Sequence, residues 1–538
     1  MTPLIVDDRM NQIAKPSRLR RFGNTFASLL VSAVGMASGC AWIPEGSPPA
    51  EFIEPPELRE TLAEVEGRLQ QWPEDRWWEQ FGNAELTKLI DQALRDNPGL
   101  KVASARLREA EAIAKVEGAR LLPFLEADAE LSYERISQHG VFAALNPKVA
   151  GDKILLGIIN PLTFRYEFDF WGKNRATLEA ALGHAAAEEA ERAEVKLRLT
   201  TGVARAYFRG QALSHQLAIL DQLVGIQRDL KRHAETRYTL GLDNDQPVKI
   251  AVAEYEAAFT RRTRVRDQLD VQRFLLARLV GKGPDEGHHY FAQPAVSIPN
   301  QLSAPDHLSI GLLVHRPDLA AALYRADAAA RMVKVAKTQF YPTIDLTAVV
   351  GFNALTLAKH SDKLANLLFS GQSFSYGVAP GLRMPWFEGG RLRGELAAHR
   401  AEFDAAVELY NDTLLDAMRE VADSLSAWQA TREMMGSHKR LVASLGDDWR
   451  LAKIRVNAGL DDERDVLRHR NPLLEQEYVL RALESDQLVA AVGLIEALGG
   501  GYHNADIAKH PATQVKTKPV SADQEQGHTT AQATPMNH

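Results

Sequence analysis

Arg237-Tyr-Thr-Leu-Gly241-Leu-Asp-Asn244 recurs 218 residues later as Arg455-Val-Asn-Ala-Gly459-Leu-Asp-Asp462. Two further landmarks recur in the same order, each 219 residues apart: Asn97-Pro-Gly-Leu100 with Arg316-Pro-Asp-Leu319, and Leu122-Pro-Phe124 with Tyr341-Pro-Thr343. A fixed internal period dictates the architecture of a chain. This period is too long for the unit of a solenoid, so it predicts one domain-sized element that has been duplicated.

The length and composition fit a folded protein with few aromatic residues. Of 538 residues, 45% are hydrophobic, 25% are charged and 7% are aromatic, and the formal net charge is −7. This composition is typical of globular chains. The sequence shows neither a basic face nor an aromatic stacking motif, which argues against nucleic acid as a partner. The low aromatic content favours long helices over a large all-β core.

The N-terminus has the pattern of a bacterial export signal. Basic residues precede an apolar run from Phe26 to Met36, which is followed by Ala37-Ser-Gly39 and by Cys40, the single cysteine of the chain. Basic, apolar and small residues in this order predict a signal peptide over residues 1–39. The small residues before Cys40 resemble the lipobox of bacterial lipoproteins, although Ala37 stands where leucine is usual.

The lipobox resemblance implies that Cys40 carries a covalent lipid. Several acyl chains hold a protein on a membrane durably, because each buried CH₂ contributes about 0.8 kcal/mol. Ala41, rather than aspartate, follows the cysteine, and in lipoproteins this implies sorting to the outer membrane. The alternative is an ordinary signal peptide followed by an incidental cysteine.

The remaining boundaries follow from composition and from the period. Residues 40–60 contain five prolines and are predicted to form an extended tether. The two repeats are predicted over residues 61–285 and 286–501. Residues 502–538 are rich in Thr, Gln, Lys and Pro without a hydrophobic period, and are predicted to form a disordered tail.

Each repeat is predicted to contain two β-strands. In the first repeat, apolar and polar residues alternate from Leu125 to Tyr133 and, after a loop over 138–161, again from Phe164 to Phe170. In the second, the corresponding segments are Ile344–Phe352 and Phe374–Leu382, joined by a loop over 353–371. Period-two alternation indicates a strand with one apolar face. About 10 residues are enough to cross a bilayer in a tilted strand.

Long helices are predicted after each pair of strands. Apolar residues recur at heptad spacing, which predicts coiled-coil packing: Leu199, Ala206, Leu213 and Leu220 in the first repeat, and Leu396, Phe403, Tyr410 and Ala417 in the second. The first helix is predicted from about Lys173 to Arg237. Gly241 and Gly459 are predicted to end the long helices, because glycine accepts the left-handed conformation. Asp or Asn then caps each return helix.

Four strands per chain are too few to close a membrane barrel, since single-chain bacterial barrels have at least about eight and open edges are not tolerated in lipid. Two copies would form a barrel of about eight strands, whose interior is filled by side chains, whereas three copies would form a barrel of about twelve strands with room for a lumen. The predicted fold class is α+β, mainly α: a duplicated unit forming a trimeric 12-stranded transmembrane β-barrel, continued by a long coiled-coil α-helical periplasmic barrel.

This arrangement resembles the outer-membrane factor family of TolC- and OprM-type channels, over about Trp77 to Gly501. The shared motifs are Trp77-Trp-Glu-Gln-Phe81, Asn97-Pro-Gly-Leu100, Arg316-Pro-Asp-Leu319, Phe340-Tyr-Pro342, Glu420-Val-Ala-Asp423 and Ala497-Leu-Gly-Gly-Gly501. The cysteine brings the chain nearer to the OprM-like, NodT-type lipoprotein branch. The resemblance implies a homotrimer in the bacterial outer membrane that reaches into the periplasm, with a periplasmic adaptor and an inner-membrane pump of the RND type as partners.

The resemblance also implies a periplasmic aperture where the last long helix turns back, over Gly459–Arg470. Charged residues in this segment are candidates for the ring that lines it: Asp461, Asp462, Arg464, Asp465 and Arg468. Arg468 departs from the family, in which an acid is expected, so the ring is predicted to be mixed in sign or cationic, with Arg470 nearby. Pro472 is a second departure, because proline kinks a helix. The alternative is that these charges are solvated caps at helix ends.

The predicted function is a passive exit channel for small molecules and drugs in tripartite efflux. The alternatives are the outer-membrane channel of a type I protein secretion system and a lipid-anchored periplasmic coiled coil of structural role. An enzyme is not expected, because the sequence lacks a His-x-x-x-His helix pair, a Gly-x-Ser-x-Gly motif and a phosphate-binding glycine loop, and His288-His289 lie in a plain linker. Neither a metal nor a cofactor is expected, apart from the lipid on Cys40.

Overall fold

The computed structural model describes residues 43–53, 72–291 and 314–504. These residues belong to two compact units. Of the described residues, the sheet unit contains 43–49, 113–181 and 328–404, and the helical unit contains 50–53, 72–112, 182–291, 314–327 and 405–504. The predicted signal peptide, Cys40 and the chain beyond residue 504 lie outside the described residues.

The first repeat contains helices, two strands and two further long helices, in the predicted order. Its elements are α1 (Ala84–Asp96), α2 (Pro98–Ala119), β1 (Phe124–Arg135), α3 (Val141–Leu145), β2 (Lys153–Phe168), α4 (Lys173–Thr239) and α5 (Gln246–Leu279). Short 3₁₀ helices lie at Trp77–Phe81, Pro147–Val149 and Pro284–His289.

The second repeat follows the same order. Its elements are α6 (Pro317–Thr338), β3 (Thr343–Leu357), α7 (Leu364–Leu368), β4 (Phe374–Arg383), α8 (Arg391–Asn457) and α9 (Glu463–Ala497). Further 3₁₀ helices lie at Ala358–Lys363 and Gly371–Ser373. The prediction of a mainly α fold built from a duplicated unit is therefore confirmed.

The four strands form one antiparallel sheet in the order β1-β2-β3-β4. Phe124 of β1 lies opposite Arg165 of β2, and Arg165 in turn lies opposite Thr347 of β3. Thr343 of β3 lies opposite Arg383 of β4. β2 is bulged near Asn160 and Pro161, where its register shifts against both neighbours. Proline lacks an N–H to donate, and within a sheet it is tolerated at bulges or edges.

The predicted start of β2 was wrong, because the strand begins at Lys153 rather than at Phe164. Its first half, from Ile154 to Ile159, is apolar at nearly every position and lacks the alternation of a strand with one wet face. The structure gives the reason. Gly157 lies against Leu364 and Leu368 of α7, so α7 covers one face of this part of β2, and each of residues 154–159 is half-buried or buried. β3 likewise extends beyond Phe352 to Leu357.

The two long helices α4 and α8 contain 67 residues each, or about 100 Å at about 1.5 Å per residue. The heptad positions mark their buried faces, as predicted: Leu199, Val203, Ala206 and Leu220 in α4, and Leu396, Val407, Tyr410, Leu414, Ala417 and Val421 in α8. α4 begins under a carboxylate cap, since both oxygens of Asp169 accept backbone N–H groups, from Asn174 at 3.0 Å and from Arg175 at 2.9 Å.

The repeated landmarks of the sequence close each repeat on itself within the helical unit. Asn97 donates its Nδ2 to the carbonyl of Leu279 at 2.9 Å, and Arg316 donates its Nη1 to the carbonyl of Ala497 at 3.0 Å. Leu279 and Ala497 are the last residues of α5 and α9. Each landmark thus satisfies a carbonyl that the end of a helix leaves free.

The N-terminal aromatic motif belongs to the main core of the helical unit. Trp77, Trp78 and Phe81 are almost fully buried, together with Leu86 and Ile90 of α1. Among the described residues, the helices lack a segment both long and apolar enough to span a membrane.

The described part of the predicted tether is extended and makes contacts, although its prolines suggested a segment that does not pack. In the sheet unit, Arg400 donates to the carbonyl of Pro44 at 2.9 Å. In the helical unit, Asn411 accepts from the N–H of Ile53 and donates to the carbonyl of Glu51, both at 3.0 Å. A polar side chain of α8 therefore satisfies two backbone groups of this segment.

Candidate functional site

The two helix turns of the helical unit share one backbone geometry. Gly241 and Gly459 have φ values of +71° and +73°, in the left-handed region that glycine accepts without strain. The N–H of Leu242 reaches back to the carbonyl of Arg237 at 2.9 Å, and that of Leu460 to Arg455 at 3.0 Å. This is the Schellman ending of a helix, and it confirms the predicted role of the two glycines.

An arginine–aspartate pair closes each turn. Arg237 donates its Nε to Asp243 at 2.5 Å and its Nη2 at 3.4 Å. Arg455 donates to Asp461 in the same way, at 2.5 and 3.0 Å. The adjacent guanidinium lowers the pKa of each carboxyl below its ordinary value. The pairing of these two arginines with the aspartates was not predicted, although both arginines recur at the spacing of the repeat.

The second turn leads into a capped helix. Asp462 accepts the N–H of Arg464 at 2.8 Å, and Asp465 accepts the N–H of Asp462 at 3.3 Å, which completes a capping box at the start of α9. The Arg464 side chain also pairs with Asp462, and this hydrogen bond is the main cause that lowers the pKa of Asp462 to about 2. In the first turn, Asp245 precedes α5 without a side-chain cap.

The five candidate aperture residues therefore all have partners within their own turn. Asp461 pairs with Arg455, Asp462 with Arg464, and Asp465 with Arg468 at 3.2 Å. The turn places acids and bases side by side, as the sequence predicts for a segment of mixed sign. These residues could cap helix ends and also line an aperture, because a residue that caps a helix can still present its charge to solvent.

The two turns influence each other electrostatically. The pKa of Asp243 is lowered first by Arg237 and, more weakly, by Arg464 of the second turn. Conversely, the pKa of Arg464 is raised first by Asp462 and also by Asp243. Asp243 of the first turn and Arg464 of the second therefore lie close enough for their charges to attract each other.

Leucines are exposed at both turns. Leu240 and Leu242 are 68% and 59% exposed in the first, and Leu460 is 67% exposed in the second. Such side chains next to charged caps present a small apolar surface at the end of each helix pair.

Arg470 does not join the charges of the turn. Its guanidinium lies 4.4 Å from the ring centroid of Trp449, and its side chain is 21% exposed. It also donates to Gln222 of α4 at 3.4 Å. Arg470 is therefore packed between α9 and its neighbours, and it also pairs with Glu477 of α9 at 3.4 Å.

Pro472 lies inside α9, which continues through it without interruption from Glu463 to Ala497. The preceding residue, Asn471, accepts a hydrogen bond from Gln227 of α4 at 3.3 Å. Three residues further on, Glu475 pairs with Arg261 of α5 at 2.5 Å. Packing on both sides thus holds the helix together at a proline that sequence alone predicts to disturb it.

In residues 43–53, 72–291 and 314–504, no group of three or more His, Cys, Asp or Glu side chains is arranged to bind a metal ion. His288 and His289 belong to the 3₁₀ helix at Pro284–His289.

Comparison with known proteins identifies relatives along nearly the whole chain. The family model for outer membrane efflux proteins matches residues 89–282 and again residues 310–500. The multidrug resistance outer membrane protein MdtP of Shigella flexneri is 30% identical over 496 residues, covering 89% of this chain and 98% of that protein. MdtQ of Escherichia coli O157:H7 is 30% identical over 437 residues, covering 80% and 89%.

Solved structures show the same fold. The outer membrane protein VceC of Vibrio cholerae superposes with a TM-score of 0.70 at 31% identity, covering 80% of this chain and all of that one. The CmeC outer membrane channel of Campylobacter jejuni superposes with a TM-score of 0.74 over 87% and 96% of the two chains. At 22% identity, the second likeness bears on the fold alone.

Proposed function

The chain belongs to the outer membrane efflux protein family, and on that premise we propose that it is the outer-membrane exit channel of a tripartite efflux system. In this role it is a passive trimeric conduit for small molecules and drugs. The energy is supplied by an inner-membrane pump of the RND type, which a periplasmic adaptor connects to the channel. Relatives that are named for multidrug resistance and aligned over most of the chain support small molecules as the cargo.

One observation carries the proposal: the sheet has two open edges, at β1 and β4. A sheet edge in lipid leaves N–H and C=O groups unsatisfied, at a cost of several kcal/mol each. Three copies contribute twelve strands, which close with room for a lumen. The long helices α4, α5, α8 and α9 would then continue the wall beyond the membrane.

We further propose that the turns around Gly241 and Gly459 form the periplasmic end of the channel. There, Asp461, Asp462, Arg464, Asp465 and Arg468 would ring the aperture in three copies. The exposed leucines at the turns suit an adaptor, because apolar side chains surrounded by charges are typical of surfaces that bind another protein. Cys40 is proposed to carry the lipid that anchors the N-terminus in the outer membrane.

The proposal is tested in cells of the source bacterium that lack this gene. We expect them to accumulate ethidium and to become more sensitive to drugs, and we expect the wild-type gene to restore both. Detergent-extracted protein should be trimeric by native mass spectrometry and should conduct ions in planar bilayers. Unchanged accumulation together with loss of an exported polypeptide would favour type I secretion. A monomer without conductance would favour the structural coiled coil.

The lipid is tested separately. Mass spectrometry of the wild-type protein should find acyl chains on an N-terminal Cys40, and Cys40→Ala should lose them. An intact thiol on Cys40 in the mature wild-type protein would show that the cysteine is incidental.

A further inference from the structure

One face of the sheet is apolar across all four strands. Leu131 lies opposite Gly157, and Gly157 lies opposite Ala354. Two residues before Ala354 on β3, Phe352 lies opposite Phe374 of β4. Side chains on one face recur at every second residue of a strand, so these five residues share a face. The other face carries the acids of β1: Glu126, Asp128 and Glu130. In the proposed channel, the apolar face would contact lipid.

The short helix α7 lies on this apolar face. A β-carbon at Gly157 would meet the side chain of Leu368 at 3.5 Å and that of Leu364 at 3.7 Å. Because Gly157 shares its face with Leu131, α7 covers the apolar side of the sheet and not the side of the acids. β2 begins near this contact, at Lys153, and leads into α4 at its other end. The helix α7 therefore lies at the end of the sheet that is remote from α4.

The helix α7 is followed and preceded by exposed residues of two kinds. Leu367 and Phe369 are 42% and 70% exposed. Lys359 and Lys363, in the 3₁₀ helix that leads into α7, are exposed as well. No carboxylate of the described residues pairs with either lysine. Apolar side chains next to free cations are typical of segments that lie at the surface of a membrane.

The apolar face ends in two further cations. Arg135 of β1 lies directly opposite Lys153 of β2, and both are exposed. Nζ of Lys153 lies 5.8 Å from the ring centroid of Tyr133, which shares this face. Glu134 lies between the two residues of β1 and therefore belongs to the other face. Like charges directly opposite each other destabilise a sheet, and an anion bound at this place would remove the repulsion.

Aromatic side chains precede these cations along the same face. Tyr133 is 58% exposed, Phe374 is 50% exposed and Tyr376 is 79% exposed, and the rings of Phe352 and Phe374 lie 5.8 Å apart. Aromatic residues flank the apolar band of membrane strands at the interface with water. Lysine and arginine beyond such a band keep their stems on apolar surface and extend their charges outward. The order of apolar, aromatic and cationic residues therefore matches the order of hydrocarbon, interface and lipid headgroups.

We propose that this end of the apolar face binds the phosphate-bearing headgroups of an anionic lipid leaflet. The headgroup surface consists of Arg135 and Lys153 at the strand ends, Lys359 and Lys363 before α7, and the exposed apolar residues of α7 and its end. Charge favours an anionic lipid over a neutral one, because four cations stand against Asp362, the single acid of residues 358–369. Clustered lysine and arginine next to apolar surface attract anionic lipids.

This inference rests on the proposed function, which places the strands in the outer membrane and α4 on its periplasmic side. The headgroup surface would then lie in the outer leaflet. The inference goes further by naming the lipid class and the residues that contact it.

A spin label tests whether α7 contacts lipid. Phe369→Cys, made in the full chain, is labelled and reconstituted into phosphatidylglycerol vesicles, and its collisions with oxygen and with a nickel chelate are measured. Oxygen concentrates in lipid, whereas the chelate stays in water. Leu355→Cys is the matched control, because Leu355 is 58% exposed and lies on the opposite face of β3 from Ala354. We expect the ratio of oxygen to chelate collisions to be severalfold higher at position 369.

Two results of the spin-label experiment would overturn the proposal. Chelate collisions at position 369 as frequent as those at position 355 would show that this surface lies in water. Protection of position 369 from both reagents would show that protein, such as a second copy, covers α7. The wild-type chain, treated with the label in parallel, controls for Cys40.

A lipid titration tests the four cations. Delipidated wild-type protein in detergent receives phosphatidylglycerol or phosphatidylcholine, and native mass spectrometry counts the lipids that are retained. We expect the wild type to prefer phosphatidylglycerol. Lys153→Gln with Lys363→Gln should weaken the retention of phosphatidylglycerol at least about tenfold and leave that of phosphatidylcholine unchanged.

Lys115→Gln with Lys337→Gln is the matched control, since it removes two exposed lysines from α2 and α6. It should change the retention of phosphatidylglycerol less than about twofold. Equal losses in the two double variants, or a wild type without preference between the lipids, would overturn the role of the cations. A conducting trimer with either result overturns this inference alone, whereas a monomer without conductance overturns the proposed function as well.

Discussion

Arg455 holds Asp461 with two hydrogen bonds, of 2.5 and 3.0 Å, and so joins the last turn of α8 to the residue before the cap of α9. Arg237 and Asp243 repeat this relationship between α4 and α5. The pair spans six residues, over which the chain reverses direction. The arginine–aspartate pair is therefore a feature of this type of turn, because it occurs in both repeats.

Asp461→Asn is therefore expected to loosen the second turn without unfolding the helices. The amide keeps the shape of the carboxylate and loses its charge, and an exposed pair of this kind contributes modestly. We expect backbone amides of residues 455–465 to exchange with deuterium about two- to fivefold faster, as measured by mass spectrometry.

Asp243→Asn supplies the matched control. It should accelerate exchange in the first turn and leave residues 455–465 nearly unchanged. Equal protection of both turns in both variants would show that the pairs do not stabilise the turns.

The cap of α9 predicts a dependence on pH. The pKa of Asp462 is lowered to about 2 by its hydrogen bond with Arg464, from an ordinary value of 3.8. A carboxyl whose pKa is depressed on folding stabilises the folded state above its unfolded pKa, and this contribution is lost as the pH falls through the folded value. Asp462→Ala should cost about 1 kcal/mol at pH 5, and the difference from wild type should shrink between pH 4 and about 2.

Asp245→Ala is the control for this measurement, because Asp245 directly precedes α5 and makes no cap hydrogen bond through its side chain. Denaturant unfolding at several pH values provides the readout. An effect of Asp462→Ala that is the same at pH 5 and pH 2 would contradict the assigned role of the ionised cap.

The buried arginine of the second repeat should matter more for stability than any surface pair. The side chain of Arg316 is 8% exposed, pairs with Asp318 at 2.6 Å and with Glu420 at 2.8 Å, and donates to the carbonyl of Ala497. Removing one partner from a buried pair costs about 3–5 kcal/mol, because the remaining charges stay unpaired. Arg316→Ala should lower the free energy of unfolding by about that amount.

Arg419 offers a contrast on the same helical unit. It pairs with Asp416 at 3.3 Å and with Asp423 at 2.9 Å, but its side chain is 60% exposed. Arg419→Ala should change the free energy of unfolding much less than Arg316→Ala, because solvent screens an exposed ion pair. If Arg316→Ala prevents folding, Arg316→Lys provides the measurement, since lysine keeps the charge and loses the planar fork. Equal stability of the Arg316 and Arg419 variants would show that burial does not increase the contribution of an ion pair to the free energy of unfolding.

Much of the fold could be predicted because its signals are local and occur twice. Gly241 and Gly459 mark the turns by a conformation that glycine accepts, and heptads mark the buried faces of α4 and α8. The start of β2 escaped prediction for a tertiary reason: Gly157 lies under Leu364 and Leu368 of α7, and residues 154–159 are all half-buried or buried, so this part of the strand lacks the alternation of a strand with one solvent-exposed face.

The candidate site could be placed by sequence but not described by it. The spacing of the repeat locates the turn at Gly459. The pairing of the charges depends on the backbone after the glycine. This backbone brings Asp461 back to Arg455 and turns Asp462 toward the first turn of α9. The position of Arg470 near the turn likewise does not reveal that its guanidinium lies over the ring of Trp449 of α8.

The aperture proposal makes a direct prediction about ion conduction. Arg468 and Asp465 pair at 3.2 Å, so a trimer would present three such pairs at its periplasmic end. Charged rings are a common selectivity device in pores. Arg468→Ala should leave three uncompensated carboxylates and raise the preference for cations by at least about twofold.

Asp465→Asn should shift the ion preference in the opposite direction, toward anions. Asparagine is preferred to alanine at this position because its amide oxygen can still accept the N–H of Asp462 in the capping box. Planar-bilayer recordings in asymmetric salt measure both changes as shifts of the reversal potential. Arg450→Ala controls for a charge on α8 away from the turn, since Arg450 is exposed and pairs with Asp447 at 3.1 Å. If both turn variants conduct with the wild-type amplitude and ion preference, these residues do not line the aperture.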